Sequence, residues 1–127
     1  MPRRDEAGAA VVDFVLVMML LVPLVLGIAQ VGLVLHVRNT LSSAASEGAR
    51  AAAPFGATPE DGAARTRALI RQALADRYAD GVSASWTTVG GVAGSEVVVH
   101  ADVPALGLFG PSVSLTVRGH AVREVAP

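Results

Sequence analysis

The chain contains neither cysteine nor lysine. Without cysteine there are no disulfides, no thiolate nucleophile and no Cys-based metal site. Without lysine, arginine is the only strong base, which reads as base composition rather than chemistry. Aromatic residues make up 4% of the 127 residues although 52% are hydrophobic, so much of the apolar fraction is alanine and valine. The formal net charge of −1 gives no electrostatic case for a nucleic-acid partner. No G-x-S-x-G turn and no H-x-x-x-H pair occurs, which leaves no motif for Ser/His/Asp or zinc chemistry. The glycine-rich "GGVAGS" lacks the lysine and following helix of a phosphate loop, so it is read as a turn. His100 and His120 fall on the outward face of two strands, near Asp102, and His36 at a membrane boundary; neither setting makes a metal site. Arg65, Arg67, Arg71 and Arg77 lie amid acids and read as a solvated helix face. No cofactor is expected.

The chain does have one long apolar run. From Phe14 to Leu35 no residue is charged. Those 22 residues form a helix of about 33 Å, enough to cross a hydrocarbon core of about 30 Å. Pro23, Gly27, Gln30 and Gly32 interrupt the run, as membrane helices tolerate. A cleaved secretory signal fits less well, because the run is too long and no A-x-A site follows it. Arg3, Arg4 and the terminal amine lie before it and Arg38 and Arg50 after, a thin bias, and the short leader favours a cytoplasmic N-terminus and an extracytoplasmic C-terminal domain. Asp13 sits at the inner edge, where an ionisable group costs free energy.

Beyond His36, Val34, Val37, Leu41, Ala44, Ala45, Gly48 and Ala52 recur at helical spacing. The membrane helix therefore continues as an amphipathic stem up to Pro54, with a stripe of small residues suited to a close partner helix. Thr58, Pro59, Glu60 and Asp61 form a helix start. The second helix is expected over Pro59–Tyr78, with Leu69, Ile70, Ala73, Leu74 and Tyr78 on its apolar face and Gly81 ending it. The period then changes to two. "VSASWTTV", "EVVVHADV" and "SVSLTVRGHAV" read as three strands of an antiparallel meander. Val82, Ala84 and Trp86 fall on one face of the first, Val97, Val99, Ala101 and Val103 on one face of the second, and Val113, Leu115, Val117 and Ala121 inward on the third. Trp86 is expected in the core, and "PALGLFGP" as a connection. No internal repeat is evident. The fold class is α+β: a long N-terminal helix, a second helix and a small three-stranded sheet packed on them.

The N-terminal stretch "DEAGAAVVDFVLVMMLLVPLVLGIAQVGLVLHVRNTLSSAASEGARAAA" resembles the TadE-like family of minor pilins, or pseudopilins, of tight-adherence pilus systems. The matching residues are Gly8, Ala9, Asp13 and Phe14, then Asn39 and the block Glu47, Gly48, Ala49 and Arg50. The resemblance covers roughly the first 55 residues. It implies a leader, residues 1–8, cut between Gly8 and Ala9 by a prepilin peptidase, with Asp13 the fifth residue of the mature chain. The family usually has glutamate there, so the carboxylate here is one methylene shorter. The resemblance further implies that Asp13 pairs with the freed amine of Ala9 or of a neighbour, since a carboxylate in low dielectric is costly unless paired.

This reading divides the chain into a leader (1–8), a transmembrane helix (9–37), a helical stem (38–53) and a small extracytoplasmic domain (54–127). Asp13, Leu41, Ala45, Glu47, Gly48 and Arg50 are expected to serve helix packing and assembly. The expected partners are membrane lipid, other pilin subunits, prepilin peptidase and pilus platform proteins, with no nucleic acid. The protein is expected to be non-enzymatic. The competing readings are a plain membrane-tethered binding module and, further off, a membrane-tethered enzyme with converging ionisable groups.

Overall fold

A computed structural model of the chain describes residues 2–105 and 112–125, with side chains from residue 5 onward. Most of "PALGLFGP", expected as a connection, lies outside the described residues, as does part of the leader's side-chain detail.

The first element, α1, is a single helix over Pro2–Ala51. Pro23 lies inside it without ending it. Membrane span and stem are therefore one uninterrupted rod. The helix stops one turn before Pro54, where Ala52 N–H still donates to the Gly48 carbonyl at 3.1 Å.

α2 covers Pro59–Ala73. Its start is a capping box, as the residues suggest. The Thr58 hydroxyl accepts from the Asp61 N–H at 3.3 Å, and the Thr58 N–H donates to the Asp61 carboxylate at 2.7 Å. Its end differs from expectation. α2 closes at Ala73 rather than running to Tyr78, and a separate 3-10 turn spans Asp76–Ala79. That break lets the turn carry Tyr78 and Ala79 into the core while the chain swings back towards the sheet. Gly81 marks the start of the sheet instead of a helix end. A Cβ there would lie 2.1 Å from the His100 carbonyl oxygen, so only glycine lets the two strands approach.

The sheet is an antiparallel meander in the order β1 (Val82–Val89), β2 (Val92–Val103), β3 (Val113–Val122). The β1–β2 turn is shorter than "GGVAGS". It is Gly90 and Gly91 alone, at φ 57° and 84°, a two-residue hairpin turn that lets pairing reach Val89↔Val92. The inward alternation on β2 holds, with Val97, Val99, Ala101 and Val103 all buried. On β3, Val117 is buried but Val113 is 38% exposed.

Trp86 departs from its expected place. It faces the helices, opposite Ser95, yet is 42% exposed. On the same face of β1, Val82 is buried and Ala84 partly buried against the core, whereas the strand's far end overhangs it. The Trp86 ring is instead covered by the Arg123 guanidinium, 4.4 Å from its centroid.

The core lies where α1 crosses both the sheet and α2. Val37, Leu41, Ala44, Ala45 and Ala49 meet Ile70 and Tyr78 together with the β2 valines. Two glycine contacts set the spacing. A Cβ on Gly119 would sit 2.3 Å from the Ala45 carbonyl oxygen, so α1 rests directly on β3. A Cβ on Gly48 would sit 1.7 Å from Thr66 Oγ1 and 2.6 Å from the Gly62 carbonyl oxygen, so α1 and α2 cross almost backbone to backbone.

Candidate anchor and processing site

The most apolar 18-residue window of α1 has a mean hydropathy of 2.8, and none of it is buried. Sixteen large apolar side chains between Val11 and Leu35 are exposed, among them Leu20 at 76% and Ile28 at 66%. At about 1–2 kcal/mol for each partly exposed side chain, moving them from water into hydrocarbon is worth on the order of 20 kcal/mol. That exceeds the whole stability of a typical small domain, about 5–15 kcal/mol. The helix is long and apolar enough to cross a bilayer, and none of its most apolar window is covered by the other described residues.

Gly8, Ala9, Asp13 and Phe14 all lie on this exposed part of α1, Phe14 at 63% exposure. No atom comes within 4 Å of a Cβ built on Gly8. A protease needs its substrate extended, and the Gly8–Ala9 bond is helical here. Glycine weakens a helix by about 1 kcal/mol relative to alanine, so this is the easiest point on the leader to unwind. Ala9 and Asp13 are four residues apart and therefore share one helix face. After a cut at Gly8 the new amine and the carboxylate would lie one turn apart. Asp5 stands in the first turn of α1, where the helix dipole favours an acid.

The second set of expected site residues lies elsewhere. Leu41, Ala45 and Gly48 are buried within the chain itself, the first two at 0% exposure. The close partner expected for their small-residue stripe is supplied by α2 and β3 of the same chain, and these three have no free surface to offer another subunit. Ala49 is buried beside them, and its carbonyl accepts a hydrogen bond from the buried Ser95 hydroxyl at 2.8 Å. Glu47 and Arg50 point outward and pair with each other at 3.3 Å. The block "EGAR" thus splits: Gly48 and Ala49 serve the crossing, and the flanking charges face solvent.

Asn39, Ser43 and Glu47 line one side of a groove of about 460 Å³ between α1 and α2, with Leu69 and Gln72 on the other. Leu69 was expected only as core and Gln72 was not singled out. The groove exists because the glycine crossing brings the helices together below it, which no single-helix pattern reveals.

The two sheet histidines occupy different rungs. His120 Nε2 lies 2.6 Å from Glu96, which also accepts from Arg118 at 3.2 Å. His100 Nδ1 meets the Thr116 hydroxyl at 2.9 Å, and Asp102 accepts from Ser114. These polar groups of β2 and β3 are matched across the ladder, as exposed cross-strand pairs are.

The family model for TadE-like protein matches residues 8–50. Residues 8–50 form a TadE-like segment. The match begins at Gly8 and ends at Arg50, so it coincides with α1 from the expected cut to one residue short of the helix end. The TadE-like segment is about a third of the chain, and α2 and the sheet lie outside it. No curated protein and no solved structure matches the chain. The chain thus combines a segment similar to the TadE-like family with a helix long and apolar enough to span a bilayer.

Proposed function

We propose that the protein is a single-pass minor pilin or pseudopilin that takes part in assembling a tight-adherence pilus. Its N-terminus lies in the cytoplasm and its α2–sheet head outside the membrane. A prepilin peptidase removes residues 1–8, and the mature chain, starting at Ala9, engages sibling pilins and the assembly platform through α1. The protein performs no catalysis of its own. The observation that carries this reading is the apolar stretch of α1, uncovered among the described residues, inside the segment that matches the TadE-like family.

Mass spectrometry of the protein recovered from membranes of a cell with the matching pilus system tests it. A chain beginning at Ala9 supports the proposal. An intact leader in the same cells would leave a membrane-tethered module and remove the pilin. Asp13→Ala then probes the carboxylate. Cleavage is expected to continue while surface pili fall several-fold, and Asp13→Glu is expected to restore them. Normal piliation in the alanine variant would end the pairing role.

A further inference from the structure

Hydropathy places the membrane span over Phe14–Leu35, but the fold does not allow a span there. The Gln30 side-chain amide donates to the Pro104 carbonyl at 3.2 Å, across 74 residues of sequence. Leu33 and Val34 pack against the core, and Val37 is buried in it. The base of the head, where β2 ends, therefore stands beside Gln30. Asp102, exposed and bonded to Ser114, lies two residues above that base. The backbone at Pro104 and Ala105 is irregular. Irregular backbone exposed to lipid does not enter hydrocarbon, because nothing there can hydrogen-bond it, and a charged side chain enters only at a cost. The hydrocarbon must end at Gln30, not at Leu35.

Resting on the membrane reading above, we infer that the head acts as a depth stop. It sets the span to about residues 10–29, roughly five residues nearer the N-terminus than hydropathy alone suggests. The lengths agree: about 20 residues at 1.5 Å each fill a core of about 30 Å. Three things follow for the site. Gly8 stands about 33 Å along the helix from Gln30, so the scissile bond sits just beyond the hydrocarbon, at the level of the inner headgroups. Asp13 lies about one turn inside the hydrocarbon rather than at its edge, so its carboxylate needs a cation more than the sequence alone implies. Val31 and Leu35, exposed on the side of α1 away from the head, lie at headgroup level instead of in acyl chains.

The two placements differ in which residue is deepest. A span of 10–29 puts Leu20 at the midplane, with Ile28 about 12 Å shallower. A span of 14–35 makes Ile28 slightly deeper than Leu20. Both side chains are well exposed, and the chain has no cysteine to interfere. Leu20→Cys and Ile28→Cys in the full chain, each carrying a nitroxide, are to be measured in phosphatidylcholine bilayers by collision with oxygen and with a water-soluble nickel chelate. The Leu20 label is expected to be the deeper by about 12 Å, with Leu16→Cys and Leu24→Cys nearly equal. An Ile28 label as deep as the Leu20 label overturns the depth stop and leaves the membrane anchor standing. Labels at all four positions open to the chelate would remove the anchor, and the stop with it.

Discussion

Two lengths of the same helix are built from different residue types and meet different surroundings. From Val11 to Ala29, α1 presents Leu, Val, Met and Phe on every side and buries none of its most apolar stretch. From Gln30 to Ala51 it buries one side only, and that side is mostly Ala and Gly: Ala44, Ala45, Gly48 and Ala49 beside Val37 and Leu41. The difference lies in size more than in hydrophobicity. Bulky side chains around the whole circumference suit a fluid solvent of acyl chains. Small ones on a single stripe let another backbone come within contact of the helix. One rod thus carries a lipid-facing half and a protein-facing half, told apart by volume and by where polar residues return.

The sharpest way to break this comparison is to add volume to each half. Gly48→Ala forces a Cβ against the Gly62 backbone, whereas Gly27 and Gly32 have nothing within 4 Å. Gly48→Ala is expected to destabilise the head by about 3 kcal/mol, seen as a lower unfolding midpoint by near-ultraviolet circular dichroism in detergent. Gly27→Ala should leave that midpoint unchanged. Removing volume comes next. Ile70 is at 0% exposure, and Ile70→Ala is expected to lose about 3 kcal/mol by the same measurement. Leu20→Ala in the lipid-facing half should lose none of the head's stability. A smaller effect sharpens the protein-facing half. Ser95→Ala leaves the buried Ala49 carbonyl short of a donor and should cost about 1–2 kcal/mol. The smallest, about 1 kcal/mol, is expected from Thr58→Ala, which opens the capping box of α2 while leaving the crossing intact. Protease nicking near residue 58 under native conditions would report it.

Much of this architecture was legible in the residues. A long uncharged run marks a membrane helix, and period-2 alternation placed the β2 valines inward, because both patterns are written in large apolar side chains. The stem spacing of Val37, Leu41, Ala44, Ala45, Gly48 and Ala52 matched the buried side of α1 because polar residues fill the other faces and leave the stripe visible even in small side chains. The buried side of α2 was legible only in part: Ile70 is buried and Leu69 and Leu74 pack on the core, whereas Ala73 is exposed. That side includes Gly62, Ala63 and Thr66 as well as Ile70, and glycine and threonine carry no hydrophobic signal. What buries them is the approach of Gly48, a relation between two distant segments. Trp86 went astray because alternation assigns a face but not whether anything covers the end of a strand. Gln30 read as a polar interruption in a membrane helix, when it is the contact that closes the base of the head. The expected stripe for a neighbouring subunit was real in pattern, but its occupant is the chain itself. Among the residues tied to processing, the order Gly8, Ala9, Asp13, Phe14 came from resemblance, and the fold adds only that they are exposed on one continuous helix.

That continuity has a mechanical side. Between the foot at Asp5 and the head at Ala51 the backbone is helical throughout, with Pro23 inside the helix. One residue inserted between Ala29 and the head would rotate the head by roughly 100° about the rod and raise it about 1.5 Å. A pull on the outer end is therefore carried to the inner end along one helical backbone, and Pro23, which lacks the N–H of its rung, is where bending would concentrate.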